Sequence, residues 1–164
     1  MLQLHGRKKG IWIAVLTVLI FAWTFVIFAQ SAKTGVESTG DTNRLIEWIE
    51  SLVDSVWPDV EVAAHPLRKL AHFGEYLILG VLSAALIGVL GGKWTQIGAW
   101  CYATAVALCD EFAVQRMTEG RAPQFTDVLI DSAGALTGVL LFVGALYMVI
   151  YLRKKASLKR ESRF

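Results

Sequence analysis

Residues 11–29 run for nineteen positions without a charge, directly after Arg7, Lys8 and Lys9. A helix of that length crosses the roughly 30 Å hydrocarbon core of a bilayer. Basic residues before the run and Ala29 at its end also fit a cleaved signal peptide, but the run exceeds the usual apolar stretch of about 7 to 15 residues. Three further runs follow at 73–90, 96–114 and 128–152, each holding its few polar residues near one end. The composition agrees, with 55% hydrophobic and 18% charged residues in a chain of 164, outside the norm for soluble domains. The expected fold is an all-α integral membrane bundle of four transmembrane helices, in contact with membrane lipids.

A net charge of +2 is too small to argue for nucleic acid, and the placement of the basic residues says more than their sum. Ten of the sixteen Lys and Arg lie in three segments: Arg7 to Lys9, the Gly91-Gly92-Lys93-Trp94 turn, and a basic tail at 153–164. Residues 30–67 instead carry Glu37, Asp41, Glu47, Glu50, Asp54, Asp59 and Glu61 against Lys33 and Arg44. Positive charge marks the cytoplasmic side, so both termini are expected there and residues 30–67 outside the cell membrane. Within this outer loop, Leu45, Ile49, Leu52 and Val56 recur at helical spacing beside Trp48 and Trp57, and Pro58 supplies a stop. The pattern predicts an extracytoplasmic amphipathic helix between helices one and two, its acidic polar face unsuited to anionic lipid headgroups. Cys101 and Cys109 stand about 12 Å apart along one helix, too far to pair, and read as small packing residues.

With these directions assigned, the intramembrane polar residues fall at one level. Arg68, Lys69, His72, Glu75 and Tyr76 open the second span, Asp110, Glu111 and Gln115 close the third, and Asp127 and Asp131 follow Arg121 into the fourth. Asp131 lies about one turn, roughly 6 Å, inside its helix. Spacings of three or four residues let each helix offer several groups to one pocket. Charge inside a bilayer is costly unless it faces the bundle interior or pairs, so these side chains are expected to turn toward each other. Gly134 and Gly138, with Ala135 and Thr137 between, form a small-residue surface for close helix approach just below Asp131, and Gly74 and Gly80 could serve similarly.

Three chemistries fit this set. Arg121, Lys69 and Arg116 could neutralise Asp110, Glu111, Asp127 and Asp131 as a structural salt-bridge network. Alternatively, His72 and Glu75 with carboxylates from other helices suit a hard divalent ion or a general acid and base pair. Finally, Lys69, Arg68 and Arg121 could grip a phosphate or carboxylate on an amphiphile. No serine nucleophile elbow, His-Glu-x-x-His helix, phosphate loop or dinucleotide fingerprint is present in the sequence. A proton-coupled transporter would need polar groups near the cytoplasmic ends, where none match.

Arg68-Lys69-Leu70-Ala71-His72-Phe73-Gly74-Glu75-Tyr76, Asp110-Glu111-x-x-x-Gln115, Gly120-Arg121 and Asp127-Val128-Leu129-Ile130-Asp131-x-x-Gly134 occur in that order. They resemble the VanZ-like family of bacterial membrane proteins over residues 68–138, with Phe28-Ala29-Gln30-Ser31 similar to a polar segment of the family, though without its serine-rich approach to the glutamine. The resemblance implies that residues 1–164 form a single VanZ-like membrane domain of the bacterial cell envelope. It also implies a link to lowered susceptibility to teicoplanin, a lipidated glycopeptide, so a lipoglycopeptide or a lipid-linked envelope molecule is the expected partner. The matching positions are Lys69, His72, Glu75, Asp110, Glu111, Gln115, Arg121, Asp127 and Asp131, the same set that shares one depth.

Overall fold

The computed structural model of the chain describes residues 6–53, 63–91 and 95–161, and all its regular structure is helical. The helices are α1 (Arg7–Ser31), α2 (Gly35–Val53), α3 (Ala64–Leu90), α4 (Thr95–Cys109) and α5 (Phe125–Glu161). A π-helical turn at Asp110–Val114 and a 3₁₀ turn at Gln115–Met117 prolong α4. Four stretches are long and apolar enough to cross a membrane: Arg7–Ser31, Ala64–Leu90, Gln96–Met117 and Phe125–Lys159. They include the four expected spans, and each extends beyond its apolar run at one end or both. The tail thus continues α5 as helix through Glu161 rather than leaving it at residue 153.

Successive spans are antiparallel. Lys9 Nζ donates to Leu90 O at 3.4 Å, which brings the start of α1 to the end of α3, and Gly88 lies against the Phe142 ring on α5. At the opposite end, the last residue of α1, Ser31, meets Asp110 beyond α4. α3 is the central helix, packing on α1, α4 and α5. Tyr76 and Leu79 on α3 bury against Ile27, Ala103, Ala107, Val128 and Ala135 from the other three. The outward faces remain apolar, with Phe21 and Phe25 about 70% exposed, as suits side chains solvated by lipid.

The α3–α5 contact is made backbone to backbone. A Cβ on Gly80 would strike Ala135 O, one on Gly134 would strike Phe73 O, and one on Gly138 would strike Leu77 O. The expected small-residue surface is therefore a true packing face, joined by Gly80, whereas Gly74 has open space beside it. Between α4 and α5, Trp100 Nε1 donates to Ser132 O at 3.1 Å, and Thr104 and Ser132 hydroxyls share a hydrogen bond at 2.9 Å. Cys101 and Cys109 depart from expectation. Both are free and exposed, because the buried face of α4 is taken by Ala99, Ala103, Val106 and Ala107.

α2 begins earlier than its apolar stripe suggested. Thr34 N and Oγ1 donate to Glu37 Oε2 at 2.9 and 3.0 Å, and Glu37 N donates back to Thr34 Oγ1 at 3.3 Å. This capping box satisfies donors that a helix start leaves unpaired, and its Thr-x-x-Glu signature is readable in the sequence. Leu45, Trp48 and Leu52 from the expected stripe are exposed on α2. Val56, Trp57 and Pro58, with Gly92, Lys93 and Trp94 of the other turn, lie outside the described residues.

Candidate functional site

Asp110 and Glu111 are adjacent in sequence, yet they are 0% and 1% exposed. An α-helix turns by about 100° per residue, which would send neighbouring side chains to different faces. The π-helical turn, closed by Gln115 N donating to Asp110 O five residues back, widens the helix here and accommodates both carboxylates inside. Gln115, 6% exposed, then serves them together. Its Nε2 donates to Asp110 Oδ2 at 3.2 Å and to Glu111 Oε2 at 2.6 Å, while its Oε1 accepts from Arg121 Nη1 at 3.0 Å. Gln115 is thus an amide relay between one guanidinium and two acids.

The remaining partners come from other segments. Ser31 Oγ donates to Asp110 Oδ2 at 2.7 Å, and Gln124 N donates to Glu111 Oε1 at 2.5 Å. Arg121 Nη2 reaches Gln30 O at 3.4 Å. The loop carrying Arg121 is itself pinned to the α1–α2 junction: Gly35 N donates to Glu119 O at 3.0 Å, and a Cβ on Gly35 would come within 2.6 Å of Gly120 O. Gly120 has φ of 74°, a conformation open to glycine at little cost.

On the other side of the cluster, His72 from α3 faces Asp131 from α5, with Nδ1 to Oδ1 3.9 Å. Lys69 Nζ lies 3.7 Å from Asp127 Oδ1 nearer the surface. One oxygen or nitrogen each from His72, Asp110 and Asp131 lies within 4.8 Å of the others, making these three the residues able to hold a metal ion among those described.

Of the nine expected residues, Asp110, Glu111, Gln115 and Arg121 share one hydrogen-bonded network, His72 stands beside Asp131, and Lys69 beside Asp127. In the salt-bridge alternative Arg121 would neutralise carboxylates directly, but among the described residues it hydrogen-bonds only the neutral Gln115 and Gln30. Its loop position, beyond the helix ends, holds the guanidinium one side chain away from the acids. Arg116 is exposed, since the 3₁₀ turn carries it to the outer surface, and it makes no ion pair among the described residues. Glu75 is not in the His72 cluster and instead lines an open cleft above it. Ser31 and Tyr76 also belong here: both stood in the motifs read from the sequence but outside the nine residues, Tyr76 four beyond His72 on the same helix face.

The cleft, about 700 Å³ with its solvent, is walled by Lys33, Arg68 and Arg121, by Glu75 and Asp41, and by Leu45, Leu67 and Ala71. His72 is its inner wall. Lys33 is engaged by Asp41 at 2.6 Å, a hydrogen bond that holds the Asp41 carboxyl below its usual range. Arg68 hydrogen-bonds Thr39 at 3.2 Å, tying α3 to α2. Burial pushes the Arg121 guanidinium below its ordinary value, with the neighbouring Arg68 acting in the same direction. Two guanidiniums with neutral partners thus face one space. An anion entering between them gains two charge-assisted contacts.

Four spanning helices with a polar network gathered at one end define a multi-pass membrane protein. The chain belongs to the VanZ/LLP1 family, whose model matches residues 13–151 and so takes in every residue of the cluster and the cleft. No curated protein and no solved structure matches it.

Proposed function

We propose that this VanZ-like envelope protein binds the anionic head of a membrane-inserted amphiphile in the cleft, at the outer face of the cell membrane. Its effect there is to lower susceptibility to teicoplanin-type lipoglycopeptides, and lipid-linked envelope molecules are the related ligand class. The observation that carries the reading is the pair Arg68 and Arg121, which face an open cleft while hydrogen-bonding only neutral groups among the described residues. An apolar groove of about 500 Å³ beside Ile20, Phe21, Leu86 and Tyr102 supports it, since it lies roughly 16 Å deeper along α1 than Ser31, within reach of an acyl tail. Lys69 takes no part in gripping the ligand. Its partner is Asp127.

In this reading both termini are cytoplasmic, α2 is the outer amphipathic helix, and residues 1–164 act as one membrane domain. Expression in a sensitive Gram-positive host raises the teicoplanin concentration needed for inhibition several-fold and leaves vancomycin unchanged. Arg68→Glu and His72→Ala remove the rise. A cysteine introduced at Gly40 is labelled by an impermeant reagent from outside the cell. Unchanged teicoplanin susceptibility with wild-type protein in the membrane would sink the resistance role, and labelling from the cytoplasm alone would invert the site.

A catalytic role on a lipid-linked substrate is the second reading, favoured by His72 at the cleft wall with Nδ1 toward Asp131. Time-dependent chemical change of the bound amphiphile separates it from stoichiometric binding. A purely structural salt-bridge lock, or a regulatory role built on one, is less well supported. Neither Asp110, Glu111 nor Asp131 has a Lys or Arg ion pair among the described residues.

A further inference from the structure

Beneath the cleft lie most of the buried side-chain atoms that have no hydrogen-bond partner among the described residues. They include His72 Nδ1, Asp110 Oδ1, both oxygens of Asp131 and the Tyr76 hydroxyl. Asp110, Asp131 and Tyr76 are each 0% exposed, so bulk water does not serve them. A buried carboxylate left unpaired costs several kcal/mol. Asp110 is the informative case. Its Oδ2 is fixed by Ser31 and Gln115, its Oδ1 has no hydrogen-bond partner among the described residues, and one of its oxygens groups with His72 and Asp131.

We propose that His72, Asp110 and Asp131 form a binding site for a divalent transition-metal ion of the zinc or manganese kind. The ligands come from three elements, α3, the π-helical turn and α5, and each has an atom without a hydrogen-bond partner among the described residues. Tyr76 is a separate indication, because it is neither acidic nor a member of the carboxylate cluster. Its buried hydroxyl, four residues beyond His72 on the same face of α3, is unpartnered and would be satisfied by a ligating carboxylate or a metal-bound water.

The chemistry selects the ion. One imidazole and two carboxylates suit zinc or manganese, whereas magnesium and calcium prefer oxygen alone. Two carboxylates and a neutral imidazole also balance a dication. Ligand atoms around a tetrahedral ion stand about 3.3 Å apart, and the candidate atoms already lie within 4.8 Å of one another. Ser31 and Gln115 would orient Asp110 from outside the ligand set, in the way outer partners usually fix metal ligands. Three protein ligands leave coordination positions for water or for the anionic group in the cleft. In that respect the site deepens the cleft reading and, for its biological role, rests on it.

The test uses the full chain purified in detergent and stripped with chelator, with no amphiphile present. Zinc and manganese are titrated calorimetrically, and retained metal is counted after desalting. We expect one equivalent, a rise in melting temperature on binding, and a loss of about tenfold or more in affinity for His72→Ala and for Asp131→Asn. Asp110→Asn supplies a second carboxylate variant should Asp131→Asn not fold, and Glu47→Gln on α2 binds as wild type. Sub-stoichiometric retention, equal affinity in the folded variants, or tighter binding of magnesium or calcium would overturn the assignment. Arg68→Glu separates the two proposals: it keeps the metal and loses the drug phenotype. Failure at the metal leaves the cleft reading standing, and the converse holds.

Discussion

Gly138→Leu is expected to destabilise the protein by about 3 kcal/mol or more, the largest effect of any single change on α5. A Cβ at this position meets Leu77 O and Val81 N, both backbone atoms of α3. Backbone has no rotamer to change, so the helices must separate, and separation dismantles the contacts at Gly134 and Gly80 along the same seam. The consequence reaches the site. Phe73, against which Gly134 packs, adjoins His72, so moving α3 away from α5 also parts His72 from Asp131. Gly144→Ala is the control, because nothing lies within 4 Å of that position. Unfolding in graded mixed micelles, followed by tryptophan fluorescence, measures the difference. A Gly138→Leu variant that unfolds with the wild type would show that the seam does not hold the bundle together.

Gln115→Leu is the second large effect, expected at about 3 kcal/mol. The substitution is close in size but leaves three groups short of a partner at once. Glu111 retains only the Gln124 N–H, Asp110 retains Ser31, and Arg121 retains the carbonyl of Gln30. Removing one partner of a buried charged group costs far more than the net value of the bond, because the other group stays buried and unsatisfied. Arg121→Ala has a smaller effect, since that residue is only partly buried. Combining the two costs less than the sum, because the Arg121–Gln115 bond is lost in either single variant. Strict additivity, or a Gln115→Leu penalty below about 1 kcal/mol, would show that the relay carries no weight.

The parts of this protein that were legible in its sequence are those governed by position along a helix. Each span had to be long, apolar and internally hydrogen-bonded, so the four runs announced themselves. The polar residues of 68–76, 110–115 and 127–131 fell at one depth because depth follows from residue number and helix direction. Gly134 and Gly138 were recognisable for the same reason, as a four-residue spacing on one face. The family resemblance drew on the same residues, and the VanZ/LLP1 match extends it to residues 13–151.

What periodicity could not supply was rotation about each helix axis and the partners it creates. That Arg121 reaches two acids only through Gln115, that Cys101 and Cys109 face outward, and that Glu75 joins the cleft while Asp110 joins His72 all depend on how helices turn against one another. The π-helical turn is the sharpest example. A regular α-helix through Asp110 and Glu111 would have turned one of them away, and a single wider turn brought both inside. The sequence by itself determined the number of spanning helices and their place along the chain, because a bilayer tests those one helix at a time. Only the tertiary structure decided which side chains meet, because that rests on glycines of α3 and α5 packing against backbone more than fifty residues away.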